Sequence, residues 1–287
     1  MPNLPIRRPK PRVALATAII FFLLLPATGH TGAARKNALP PCASDLRSCP
    51  EQGCADAGTS EAYVNQLKRK FPAAPTPVIL TLEDFQRLQE QADALVGQGV
   101  PLGEKERHKL RGLRSRTGRL GEGDLVQVRG YIVGQPAYAR SGESVNCRLT
   151  GAPNSDFRVT LAGEPDATEF EGIAVVMIPH WRPVGWTLDR LSRLSQAGRP
   201  VMVLGQLFYD SEHKVNDDPD QEVPGQPKRA SLWEIHPVTD FYVCRAEDRS
   251  CDVRDLRAWD RLELPEARAS EPPPVIPRDE VREETIQ

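Results

Sequence analysis

The run Leu125-Val-Gln-Val-Arg-Gly-Tyr-Ile-Val133 decides the fold. Its β-branched and aromatic composition predicts a strand, and Gly130 inside it predicts a bulge or sharp bend. Downstream, Phe157-Arg-Val-Thr-Leu161 alternates cleanly and Ile173-Ala-Val-Val-Met-Ile178 is an apolar run of buried-strand length. Thr187–Ala197 reads as a helix with Leu188, Leu191 and Leu194 on one face, stopped by Gly198. A fourth strand, Val201–Tyr209, and a fifth, Ser231-Leu-Trp-Glu-Ile-His-Pro-Val-Thr-Asp-Phe-Tyr-Val-Cys244, complete the series. A long bent first strand, with a helix between strands three and four, is the layout of an OB barrel. Connections this short suit antiparallel neighbours. The expected class is mainly β with helices: a five-stranded OB-like barrel preceded by a small helical, cysteine-bearing region.

Upstream, Thr59 or Ser60 caps a helix running through Lys70, and the spacer "PAAPTP" follows. Thr81 is the N-cap of a second helix, whose Leu82, Phe85, Leu88, Ala92, Leu95 and Val96 recur at helical spacing. A third helix is expected over Glu104–Ser115; its arginines and lysines read as a solvated face, with phosphate or an acidic surface as the alternative. The organisation that results is a signal or anchor over 1–34, the cysteine-bearing helical region over 35–120, the barrel over 121–245, and a largely disordered tail over 246–287.

Composition narrows the functional classes. A formal net charge of −2 provides no global attraction to nucleic acid or to an anionic membrane. The basic segment Arg7–Arg12 followed by the apolar run Val13–Leu25 is the layout of a secretory signal, and the run is short of the roughly 20 residues of a membrane span. A cleaved signal is favoured over a retained anchor, which would be the only membrane contact. Cys42, Cys49, Cys54, Cys147, Cys244 and Cys251 form an even set with no Cys-x-x-Cys pair, so disulfides in an oxidising periplasmic or extracellular setting are favoured over zinc. At least one of the first three pairs outside its own group, and Cys244 and Cys251 could close a small loop.

Two connections exceed what a bare barrel needs, Gly134–Asp156 and Asp210–Ala230, and in OB folds they flank the ligand face. The first offers Glu143 and Asn146. The second offers His213 and the carboxylates Asp210, Glu212, Asp217 and Asp218, hard oxygen donors of the kind Ca²⁺ or Mg²⁺ takes, although a solvated acidic loop is the favoured reading. Glu234 and His236 share one face of the fifth strand. Their chemical reading is a carboxylate orienting an imidazole; the favoured structural reading puts Trp233, Ile235 and Val238 in the barrel while the pair faces outward or pairs locally, with Pro237 bending or ending regular pairing. Trp181 and Trp186 could stack on a sugar or peptide, or plug a barrel end. Single-stranded nucleic acid is disfavoured, since strands two and three provide only Phe157 and Arg158 for stacking and charge.

The words Gly142-Glu-Ser-Val-Asn-Cys147, Asn154-Ser-Asp-Phe157, Gly205-Gln-Leu-Phe-Tyr-Asp210, Gly225-Gln-Pro-Lys228 and Ser231-Leu-Trp-Glu-Ile-His-Pro237 resemble an uncharacterised family of exported bacterial proteins. The resemblance covers roughly Cys49 to Cys244 and implies a coherent domain without an activity to transfer. Arg158 stands where that family has a histidine, so a metal held there would lose a ligand. The expected function is an exported, non-enzymatic binding module for an envelope protein, glycan or small ligand; the alternative is a metal-dependent hydrolase of the phosphodiesterase or nuclease kind.

Overall fold

A computed structural model describes residues 39–72, 76–116, 118–246 and 249–262. The signal segment, and the tail beyond Leu262, lie outside the described residues. Helix α1 (Ser60–Arg69) starts at Thr59, whose side chain accepts from the Ala62 amide. Strand β1 (Val78–Leu80) leads into α2 (Leu82–Asp93), where Thr81 and Asp84 form a reciprocal capping box. Leu95 falls beyond that helix and is exposed, whereas Val96 packs against the core.

The expected third helix is much shorter, α3 (Glu104–His108), and is followed by a hairpin of β2 (Leu113–Ser115) and β3 (Gly118–Leu120). Gly112 has φ +74°, which ends helical geometry and favours glycine. The basic run is not uniformly solvated either. Arg107 is buried, paired with Glu122 at 2.5 Å and bonded to the Tyr209 carbonyl and Ser211 hydroxyl.

The barrel strands are β4 (Leu125–Tyr138), β5 (Phe157–Ala162), β6 (Ile173–Met177), β7 (Pro200–Tyr209) and β8 (Trp233–Cys244), with α4 (Leu188–Gln196) between β6 and β7. Their order β4-β5-β6-β8-β7 closes because β7 also pairs with β4. All neighbours are antiparallel except β6 and β8, which is the OB arrangement. Strand β4 achieves closure by pairing with β7 over Leu125–Tyr131 and with β5 over Tyr131–Tyr138. Gly130 sits at that handover, where an added Cβ would lie 2.6 Å from the Ala162 carbonyl oxygen. The register irregularity itself falls later, between Val133 and Ala137, and the strand outlasts the expected end at Val133.

Regular pairing of β8 breaks around Pro237, where the register shifts opposite Gly205 on β7, and the strand then continues to Cys244. The expected tail is ordered at its start, since β9 (Trp259–Arg261) pairs with β8 and Trp259 packs with Met202 and the Cys244–Cys251 disulfide. One apolar cluster joins Phe85, Leu88, Leu110 and Leu120 to the barrel residues Val128, Val175, Leu207 and Trp233. The boundary near residue 120 therefore divides the sequence and not the core.

Three disulfides, Cys42–Cys54, Cys49–Cys147 and Cys244–Cys251, use all six cysteines and mark an oxidising, non-cytoplasmic setting. Cys49–Cys147 ties the segment before α1 to the β4–β5 connection across 98 residues of sequence. Among the described residues no helix is long and apolar enough to cross a membrane.

Candidate functional site

Strand alternation sorts β8 as its sequence predicts. Trp233, Ile235 and Val238 enter the core beside Tyr209 and Leu207, while Glu234 and His236 lie on the outer face with Phe208 and Gln206. That face is not solvent. Helix α1 covers it: Val64 and Leu67 pack on Phe208, and the Gln206 amide donates to the carbonyls of Leu67 and His236. Strand β5 adds Arg158 on the same side, because Phe157, Val159 and Leu161 point inward. The remaining contributors come from the two long connections.

A chain of contacts runs across this covered face. Asn146 donates to Asp156 at 2.9 Å; the other Asp156 oxygen is 3.9 Å from His236 Nε2. His236 Nδ1 meets Glu234 at 3.0 Å, and the second Glu234 oxygen is 3.4 Å from Arg229. Arg229 reaches Asp210 at 2.9 Å, and Asp210 takes His213 Nδ1 at 2.7 Å. Asp156, Arg229, Glu234 and His236 are buried, Asp210 nearly so, and His213 is 38% exposed through its side chain. Burial alone would raise the Asp210 carboxyl, but the His213 hydrogen bond and the Arg229 charge hold it well below the usual range. Glu234 is lowered in the same way, burial being outweighed by the His236 bond together with the charges of His236 and Arg229.

Three half-buried groups surround this chain without joining it. The side chains of Lys68 at the end of α1, Arg158 on β5 and Glu143 in the β4–β5 connection form no hydrogen bond or ion pair among the described residues. Lys68 lies over the Phe208 ring at 5.8 Å; burial works against its charge, but Asp210, Glu143, Glu234 and Asp156 more than compensate. Arg158 is disfavoured first by burial and then by Arg229. Glu143 is raised by burial and by the neighbouring Asp156 charge. An ionisable group kept without a partner in a partly desolvated place costs folding free energy, which is a common mark of a functional position.

The structure thus unites Glu143, Asn146, Asp210, His213, Glu234 and His236 on one face. It does not gather the expected cation ligands. Glu212 and Asp217 are exposed, and Asp218 accepts from the Asp220 amide and the Gln221 side chain. Among the described residues, the only group of three or more His, Cys, Asp or Glu donors within 4.8 Å is Cys42, Cys54 and Cys147, all disulfide-bonded.

The two tryptophans separate. Trp186 is a core residue, edge-on to Phe241 at 6.1 Å, and its burial removes it from the candidate binding residues. Trp181 is 56% exposed and stacks against Phe71 at 5.0 Å. Beside it His180 is lowered to about 4, by burial and then by Arg69. On the outer faces of β5 and β6 stand Arg158, Thr160, Ala174 and Val176, which provide no aromatic platform.

Lys68, Asp156 and Arg229 escape a reading of the sequence. A lysine in a helix's last turn reads as a solvated partner of the helix dipole, and Arg229 sits in a proline-rich loop with no periodicity. Arg158 is visible only as an alternating strand residue on the ligand face. No protein-family model matches the chain, and no curated protein matches it significantly.

Proposed function

We propose that the chain is an exported binding module of the bacterial envelope, with its ligand site on the outer barrel face beneath α1. The observation that carries this reading is the meeting of Lys68, Arg158 and Glu143, partnerless among the described residues, around a chain of paired charges. The paired residues fix the geometry; the partnerless ones are left for a ligand. The signal-like N-terminus, the disulfides and the resemblance to an exported family support a periplasmic or extracellular setting. A polar envelope molecule, such as a glycan or a small charged compound, suits such a mixture of donors and acceptors.

The test uses the full mature protein with amino sugars, short envelope peptides and sugar phosphates as probes. Imidazole NMR signals of His213 and His236 report the site. Saturable shifts that vanish in a Lys68→Met, Glu143→Gln, Arg158→Gln variant support the reading; shifts of neither histidine with any probe contradict it.

A metal-dependent hydrolase is the second reading, and the His236–Glu234 contact at 3.0 Å beside Asp156 favours it. It requires three donors to draw closer than any His, Asp or Glu set among the described residues. Stoichiometric metal in protein purified from the periplasm would favour this reading over the binding module.

A further inference from the structure

Local partners already account for the buried acids. Asp210 has Arg229 and His213, Glu234 has Arg229 and His236, and Asp156 has Asn146. Lys68 and Arg158 are therefore surplus to the pairing of this face. They approach it from different elements: Lys68 reaches from the covering helix over the ring of Phe208, the strand neighbour of Glu234, and Arg158 stands on the outer face of β5, two residues from Asp156. Lys68 and Arg158 are half-buried residues, whereas Arg229 Nε and His236 Nε2 are buried without a hydrogen bond. An arginine fork and a lysine point charge converging from two sides form a common recognition device for an oxyanion.

We infer that Lys68 and Arg158 together bind an oxyanionic group of the ligand, a phosphate, sulfate or carboxylate. This rests on the binding-module reading above and names the chemistry of its ligand. The guanidinium takes two oxygens of the anion and the ammonium a third. Glu143, in the β4–β5 connection and without a side-chain partner, then faces the ligand atom next to the anion.

The charges of the face make binding proton-linked. Lys68, Arg158 and Arg229 oppose Asp156, Asp210, Glu143 and Glu234, beside the imidazoles of His213 and His236. An added anion favours protonation of Glu143, whose carboxyl burial and Asp156 already push upward. Affinity therefore rises as pH falls through the Glu143 range and weakens as pH rises.

The experiment is a titration of the full mature protein with inorganic phosphate at constant ionic strength set by chloride, read by calorimetry and by the His213 and His236 imidazole signals. Sulfate, acetate and glycerol phosphate form parallel arms, which separate a free anion from an anionic group on a larger ligand. We expect saturable binding, and in the sulfate arm, where the ligand charge is constant, a gain in affinity on acidification that Glu143→Gln removes. Lys68→Met and Arg158→Gln should each weaken it by about ten- to a hundredfold, as loss of a charge-assisted bond does. Arg158→Lys should fall between wild type and Arg158→Gln, and exposed Arg193→Gln should bind like wild type. Thermal unfolding of each variant confirms that it is folded. Undiminished binding by both Lys68→Met and Arg158→Gln overturns the inference, as does no saturable binding of any anion. If neutral amino sugars shift His236 while every anion fails, the oxyanion inference falls and the binding module stands. If no probe of either kind shifts it, both fall.

Discussion

Two groups of charged residues meet at Phe208. In one, the Arg107 guanidinium sits 5.1 Å from its ring and spends its donors on Glu122, the Tyr209 carbonyl and Ser211. In the other, Lys68 sits 5.8 Å from the same ring and has no ion-pair partner among the described residues. Arg107 fastens α3 to Glu122, after β3, and to the end of β7, a structural task. The outer face of β5 and β8 has paired groups too, but keeps two cations and a carboxylate in reserve. Burial of charge does not by itself mark a site; burial without a partner does.

The contrast can be broken first on its structural side. Arg107→Met leaves Glu122 buried without its cation and should cost about 3–5 kcal/mol in denaturant unfolding, with the phosphate response unchanged in the folded fraction. Changing Glu122 to Gln in the same chain should recover part of that loss. Next, replacing Cys49 and Cys147 by alanine releases the connection bearing Glu143 and Asn146 from the segment before α1. That should cost about 2–5 kcal/mol and weaken ligand binding as well, since both residues lose their anchor.

The smaller effects sharpen the other side. Lys68→Met should change stability by about 1 kcal/mol or less, because this cation is offset only through space. A large loss would assign it a structural role like that of Arg107. Glu143→Gln should slightly raise the melting temperature at pH 7, since it removes a carboxylate that burial and Asp156 disfavour. His180 supplies a pH test away from the charged face. Its folded value of about 4 lies below its ordinary 6.5, so the unfolded chain takes up the proton first. Stability from this group is present above about 6.5 and is lost as pH falls toward 4; His180→Gln should flatten that part of the stability profile.

Much of the barrel was legible because its strands carry period-two patterns that burial alone explains. Val126 and Val128 turn inward on β4, and Trp233 and Ile235 on β8, as alternation requires. The β2–β3 hairpin was not, since Leu113-Arg-Ser115 is too short to show a period and the preceding helical pattern ran through it. Strand β1 was hidden in the same way, beside a proline-rich spacer. For the proposed site, the two long connections and the Glu-x-His pair pointed to the face on which these charges gather. What they could not reveal is which charges lack partners. That property depends on α1 folding over β7 and β8, a contact between residues far apart in sequence, such as Leu67 and Gln206.

The most direct test is diffraction from crystals soaked in selenate, whose anomalous signal locates the anion. The account predicts a peak within hydrogen-bond distance of both Lys68 Nζ and the Arg158 guanidinium, absent from Arg158→Gln crystals soaked alike. A wild-type map without a peak at that position, or a peak that persists unchanged in Arg158→Gln, would contradict it.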